Sequence, residues 1–182
     1  KAISETNLNG PIAYYNWTID ITDPITTISS GPSNPTNSQS ATFEFSSNED
    51  ESTFQCRMDY GSWSNCTSPK SYSSLSEGNH IFQVKATDEV GNTGNLKSHS
   101  WTIDITDPII TISSGPNDPT NNQSATFEFS SNEDNSTFQC RMDSGSWSSC
   151  SSSISYSNLS EATHTFQVKA TDVAGNTGSP DY

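Results

Sequence analysis

Hydrophobic and polar positions alternate along this chain in short runs, and no segment sustains a helical period. From Ala41 to Phe45, Phe43 and Phe45 fall on one side and Thr42 and Glu44 on the other, the period of a half-buried strand. The same alternation puts Phe54, Cys56 and Met58 on one face of a strand from Thr53 to Met58. It puts Phe82, Val84 and Ala86 inward, and Ile81, Gln83 and Lys85 outward, on a strand from His80 to Asp88. Weaker runs predict strands at Ile25 to Ser29, Trp63 to Cys66, Tyr72 to Leu75 and Leu96 to Asp104, the last carrying Trp101 and Ile103. Turn formers separate them: Gly31-Pro32 and Pro35, the acidic Asn48-Glu49-Asp50-Glu51, Tyr60-Gly61-Ser62, Ser76-Glu77-Gly78-Asn79 and Val90-Gly91-Asn92-Thr93-Gly94. Some seven short strands punctuated in this way predict an all-β sandwich of immunoglobulin type.

The pattern then repeats. Trp17-Thr18-Ile19-Asp20-Ile21-Thr22-Asp23-Pro24 recurs letter for letter as Trp101 to Pro108, an offset of 84 residues. The offset holds without gaps from Trp17/Trp101 to Gly94/Gly178, with 62 of 78 positions identical. Two tandem sandwiches are therefore expected, unit one and unit two, with the octapeptide as the seam. The predicted division is an N-terminal extra strand in 1–19, unit one in 20–104 and unit two in 105–182.

Composition sharpens the picture. Only 29 % of residues are hydrophobic, a level at which disorder must be considered. Repetition, four tryptophans and regular alternation argue for folded β-structure instead. Seven basic against 21 acidic side chains give a formal charge of -14. That opposes nucleic-acid binding, which needs a cationic surface, and favours cation binding and mutual repulsion. No apolar run is long enough to span a membrane.

Each unit has one cysteine pair at the same spacing, Cys56/Cys66 and Cys140/Cys150. Position sums across the Tyr60-Gly61-Ser62 loop place Cys56 opposite Cys66, Met58 opposite Ser64 and Asp59 opposite Trp63. A disulfide within each hairpin is thus expected, stabilising by about 2.7 kcal/mol at most. Paired cysteines fit an oxidising, extracellular or cell-surface location.

The ends are unequal. Residues 1–16 read as the tail of a preceding repeat, because Asn7-Leu8-Asn9-Gly10-Pro11-Ile12-Ala13-Tyr14-Tyr15-Asn16-Trp17 ends as Asn95 to Trp101 ends. After Gly178 the sequence runs only Ser179-Pro180-Asp181-Tyr182. The count is two sandwich bodies and two final strands, shifted by one place. Unit two is expected to expose a hydrophobic groove and an unpaired edge. The N-terminal strand, with Leu8, Ile12, Tyr14, Trp17 and Ile19, is the matching piece. Inserted into unit two of a neighbour, it would join copies of the chain head to tail. The alternative is a piece of a longer array with arbitrary ends.

Several motifs together resemble a known family. Thr42-Phe43-Glu44-Phe45, Phe54 to Asp59, Gly61 to Cys66 and Leu75 to Asp88, closed by Gly91-Asn92, are similar to the Ig-like repeats of large bacterial and archaeal surface proteins and adhesins. Asp104-Ile105-Thr106-Asp107-Pro108 matches the linker of such arrays. The resemblance covers nearly the whole chain. It implies spacers, stalks or binding heads without choosing among them.

An immunoglobulin topology brings three acidic segments together in each unit. In unit one they are Asp20 and Asp23, Glu49 and Asp50, and Asp88, Glu89 and Asn92. In unit two they are Asp104 and Asp107, Glu133 and Asp134, and Asp172 and Asn176. Clustered carboxylates repel unless a cation sits among them, and Ca²⁺ takes hard oxygen ligands. The resemblance likewise implies calcium at such junctions. The expected ligands are Asp20, Asp23, Asp88 and Asn92, with Asp104, Asp107, Asp172 and Asn176, because Asp88 recurs as Asp172 while Glu89 becomes Val173. The plain alternative is solvated acidic turns.

Asn-x-Ser/Thr occurs at Asn16, Asn65, Asn122, Asn135 and Asn158, which makes these candidate glycosylation sites. Trp63 and Trp147 on the hairpins suit either packing or stacking on a sugar. Catalysis has little to stand on. His80 and His164 share one repeat position, no nucleophile–base pair or Gly-x-Ser-x-Gly elbow is present, and the cysteines lack zinc spacing. A structural repeat of an extracellular filament, stalk or surface layer is expected. An adhesin-type module for a carbohydrate or protein ligand is the alternative.

Overall fold

The computed structural model describes residues 12–181. Unit one has seven strands: β1 (Thr26–Ser30), β2 (Ala41–Ser47), β3 (Thr53–Met58), β4 (Ser64–Cys66), β5 (Lys70–Tyr72), β6 (Gly78–Thr87) and β7 (Lys97–Ile103). Two sheets, ordered β1-β2-β5 and β4-β3-β6-β7, face each other. Unit two has β8 (Ile110–Ser114), β9 (Ala125–Ser131), β10 (Thr137–Met142), β11 (Ser148–Cys150), β12 (Ile154–Tyr156) and β13 (Phe166–Thr171), in sheets β12-β9-β8 and β11-β10-β13. No described segment is helical, so no helix is long and apolar enough to cross a membrane.

Alternation does place the core. Phe43, Phe45, Cys56, Phe82, Val84 and Ala86 are all buried, closed by Trp101 and Ile103 from β7. Phe43 stacks on Phe82 with ring centroids 4.1 Å apart, and Trp101 lies 5.3 Å from Phe43. Gln83 faces outward as expected but is buried there, its Oε1 accepting the Arg57 Nε–H at 2.7 Å. Among the described residues unit two repeats this core with Phe129, Cys140, Phe166, Val168 and Ala170.

Both hairpin disulfides form, Cys56–Cys66 and Cys140–Cys150. The expected register across them is off by two residues. Cys56 pairs with Ser64, and Cys66 pairs with Phe54, so the bonded cysteines are diagonal neighbours. The cause is the turn. Asp59 and Tyr60 both take positive φ, and the Gly61 N–H donates to Met58 O at 2.8 Å. That is a two-residue primed turn, placed one position earlier than Tyr60-Gly61-Ser62 suggested. The fifth strand is also earlier than expected, at Lys70–Tyr72.

The described part of the expected N-terminal strand, 12–19, makes no ladder within this chain. Residues 12–25 carry no strand, and Ile12, Tyr14, Trp17 and Ile19 are exposed. β7 already fills the last-strand position of unit one, so this segment has no partner edge there. Leu8 lies outside the described residues.

Candidate functional site

The acidic junction assembles around the glycine turn. Asp88 caps it: Oδ1 accepts the amides of Val90, Gly91 and Asn92 at 3.0, 2.6 and 2.8 Å, and Oδ2 accepts Asn92 Nδ2–H at 2.7 Å. The Asn92 amide also donates to Asp20 O at 3.3 Å, which ties the seam to the turn. Unit two repeats this, Asn176 Nδ2 donating to Asp172 Oδ2 and to Asp104 O, both at 2.8 Å. Pro24 is buried behind the seam, and Gly94 packs directly beneath its carbonyl.

Asp20, Glu49 and Asp88 thereby converge, as do Asp104, Glu133 and Asp172, with one carboxylate oxygen of each within 4.8 Å of the others. Among the described residues no Lys or Arg forms an ion pair with these six. The charge has a visible effect. Partial desolvation, and then Asp20, Asp88 and Asp23, push Glu49 above the usual carboxylate range. Glu133 is raised in the same way by Asp104, Asp172 and Asp107. Desolvation opposes ionisation of Asp88 and Asp172 too, but the hydrogen bonds from Asn92 or Asn176 and the turn amides outweigh it and hold both below the ordinary value.

Three carboxylates without a basic partner suit a hard divalent cation. Asp23 and Asp107 contribute field without joining the ligand groups, and Asn92 and Asn176 turn their NH₂ groups to the carboxylates. Glu49 and Glu133, outside the expected ligand set, take their place. Their recurrence as Asn-Glu-Asp at the repeat offset was the available signal.

At the opposite end of the last strand position the two units differ. In unit one, β7 pairs with β6 from Gly78↔Ile103 to Val84↔Lys97. Among the described residues of unit two, one position of this ladder is taken, by the bridge Val168↔Asp181. Besides His99 of its own strand, the rings packed beside Trp101 in unit one are Phe43 and His80. Their counterparts Phe127 and His164 are present but less covered: Phe43 is 0 % exposed whereas Phe127 is half-buried, and the histidine side chains are 6 % and 22 % exposed. Trp17 and Ile19, the counterparts of Trp101 and Ile103, stand 71 % and 75 % exposed on the seam side of unit one.

Each of these histidines bridges two acceptors. His80 Nδ1–H donates to Asp59 Oδ2 and Nε2–H to Ser76 O, both at 2.8 Å. His164 does the same with Asp143 and Ser160 O, at 2.6 and 2.9 Å. A carboxylate and a carbonyl only accept, so this setting favours the doubly protonated ring. Against desolvation, the Ser76 and Asp59 hydrogen bonds raise His80 above its ordinary value; Asp143 and then Ser160 raise His164.

The remaining candidates are peripheral. Asn16, Asn65, Asn122, Asn135 and Asn158 are all exposed. Trp63 is half-buried with Arg57 4.4 Å and Lys85 4.9 Å from its ring centroid, and Trp147 sits likewise with Arg141 and Lys169. With Lys70 5.3 Å from the Tyr72 ring centroid, five of the seven Lys and Arg side chains make cation–π contacts, four of them on these two tryptophans.

Paired sheets, hairpin disulfides and a repeated seam define an array of immunoglobulin-like repeat domains. No protein-family model matches the sequence, and no curated protein matches it. Among solved structures, the chain is similar to the fibronectin(III)-like modules of Clostridium thermocellum CbhA, at 13% identity and a TM-score of 0.50, over 86% of this chain and 90% of that one. It also matches a 1.5-MDa bacterial ice-binding adhesin at 12% identity and a TM-score of 0.44, over 87% of this chain and 62% of that one. Chicken CNTN1 FN1-FN3 domains match at 13% identity and 0.42, over 88% and 66%. At such identities the likeness to the CbhA modules is one of fold.

Proposed function

We propose that this chain is a non-catalytic structural repeat of an extracellular filament, stalk or surface layer, and that copies join head to tail by strand donation. The observation that carries the reading is that the seam sequence is buried as a last strand in one copy and exposed in the other. Trp101 and Ile103 are 2 % and 0 % exposed in unit one, whereas Trp17 and Ile19, the same residues one repeat earlier, are 71 % and 75 % exposed. By the register of β7, Tyr15, Trp17 and Ile19 enter the groove, while Ile12 and Tyr14 face outward. Asp181 already holds the Lys97 position, so the donated segment is confined to about Tyr15 to Ile19. Asn16 corresponds to the exposed Ser100, so a glycan there is compatible with insertion. Burying a tryptophan and an isoleucine favours insertion by roughly 4 kcal/mol at about 25 cal/mol/Å².

The test is removal of residues 1–16 together with Trp17→Ala. Negative-stain microscopy and sedimentation should show head-to-tail assemblies of the parent and none of the variant. Their persistence shows that strand exchange is not the linkage. A monomeric parent stabilised by a carbohydrate or protein ligand would support the adhesin-type alternative.

Calcium belongs to the same reading. Bound between Asp20, Glu49 and Asp88, and between Asp104, Glu133 and Asp172, it would relieve the repulsion that raises both glutamates and stiffen the seams. Millimolar calcium should raise the melting temperature, and Glu49→Gln with Glu133→Gln should remove the response. A melting curve indifferent to calcium removes the ion from the proposal.

A further inference from the structure

Unit one carries a groove of about 390 Å³ on the outer face of its larger sheet. Strand register sets its floor. Asn79 and Ile81 of β6 alternate with the buried His80 and Phe82, and they lie opposite Thr102 and Ser100 of β7. The turn between β3 and β4 brings Tyr60 to the same groove, 70 % exposed, with Arg57 over its ring at 5.7 Å from the centroid. Asn34, from the loop after β1, completes the lining.

Two amides in this lining are oriented by one residue. Asn34 Oδ1 accepts the Thr102 N–H at 2.9 Å, and Asn79 Oδ1 accepts the Thr102 Oγ1–H at 2.8 Å. Their acceptors are thereby fixed. Among the described residues, neither NH₂ group has a hydrogen-bond partner, and nor has the Ser100 hydroxyl. The charges of the groove are settled internally. Asp59 Oδ1 accepts the Ile81 N–H at 2.9 Å, and Oδ2 accepts the His80 Nδ1–H at 2.8 Å. No Lys or Arg lines the groove. An anion would meet Asp59 without a cation to hold it, and a cation would find Asp59 committed to His80. An exposed aromatic ring beside neutral donors instead matches a pyranose, which has an apolar C–H face and hydroxyls that both accept and donate.

Comparison of the two units points the same way. Sixteen of the 78 aligned positions differ. Six lining residues fall within that span, and four of them differ: Asn34, Tyr60, Asn79 and Ile81 become Asp118, Ser144, Thr163 and Thr165. Asp59 and His80, which brace the turn, recur as Asp143 and His164 with the same hydrogen bond. The fold keeps the bracing pair, and the variation concentrates on the groove. We propose that this groove binds a neutral hexopyranose unit of a glycan. Tyr60 stacks on the sugar ring, and Asn34, Asn79 and Ser100 bond its hydroxyls. Unit two has neither the aromatic ring nor the two amides, so the site belongs to unit one alone. The groove is complete within one chain and binds whether or not copies join head to tail.

The test is NMR titration of the full chain with the methyl glycosides of glucose, galactose, mannose and N-acetylglucosamine at millimolar concentration. At least one should shift the amides of Tyr60, Asn79, Ser100 and Thr102 and leave those of Ser144, Thr163 and Thr165 in place. Tyr60→Ser should weaken binding about tenfold, the scale of a lost aromatic contact, whereas Tyr60→Phe should retain it. A variant combining Asn34→Asp, Tyr60→Ser, Asn79→Thr and Ile81→Thr should not bind. It should fold, because unit two folds with these four residues, Ser144 at φ 61° where Tyr60 has φ 58°. Silence with all four glycosides, or shifts that survive in the fourfold variant, would overturn the site. A groove that answers only to sialic acid or inorganic phosphate would overturn the neutral ligand.

Discussion

Units one and two are nearly the same sequence and not the same structure. β6 runs ten residues from Gly78, and β13 runs six from Phe166. The difference lies mainly in the strand laid beside each of them, not in the unit itself. With β7 alongside, the segment from Gly78 to Ile81 has a ladder to join; without it, 162–165 has none. One substitution adds to this. Gly78 sits at φ 121°, and Ala162 replaces it with a residue that rarely takes such a conformation. A last strand therefore organises the first half of its neighbour as well as covering the core.

The comparison can be broken most strongly at Trp101. Trp101→Ala should cost unit one about 4 kcal/mol, leaving it close to the exposed state of unit two. Two-step thermal unfolding would show the units melting nearer together. Trp17→Ala should leave the melting of the isolated chain unchanged, since that ring is exposed. Gly94→Ala comes next. The added methyl would run into the Pro24 carbonyl, and Gly178→Ala into that of Pro108. Each should destabilise its own unit by about 3 kcal/mol, readable as the loss of one calorimetric transition while the other stays.

The smallest effect is the pH response. His80 and His164 are both raised above 6.5 in the folded chain. Their contribution is fully present below the unfolded value and is lost as pH rises through the folded one. Melting temperature should fall as pH rises above 6.5, and Asp59→Asn with Asp143→Asn should flatten the slope. A slope unchanged in the double variant would separate the histidines from stability.

Period-two alternation was enough to place β3 to the residue and to find the inward set Phe43, Phe45, Phe82, Val84 and Ala86. Turn chemistry was the weaker guide. Asp59-Tyr60 contains no glycine, so nothing in it announces two left-handed residues. The Asp59 carboxylate supports them from outside, accepting the Ile81 N–H and the His80 ring. β5 lies earlier than the alternation suggests because Leu75 gives its amide to Gln39 O in a loop rather than to a ladder. The carboxylate groups were legible as converging segments, but which members touch depends on Asp88 being capped by its own turn.

The seven-pair ladder between β6 and β7 has a mechanical consequence. β7 runs straight into the seam, so a pull on unit two draws that strand lengthwise against its neighbour. All its rungs then resist together in shear, instead of parting one after another as in a zipper. A donated strand of about five residues would share that geometry with fewer rungs. Under tension such a chain should yield first between molecules and leave each module intact.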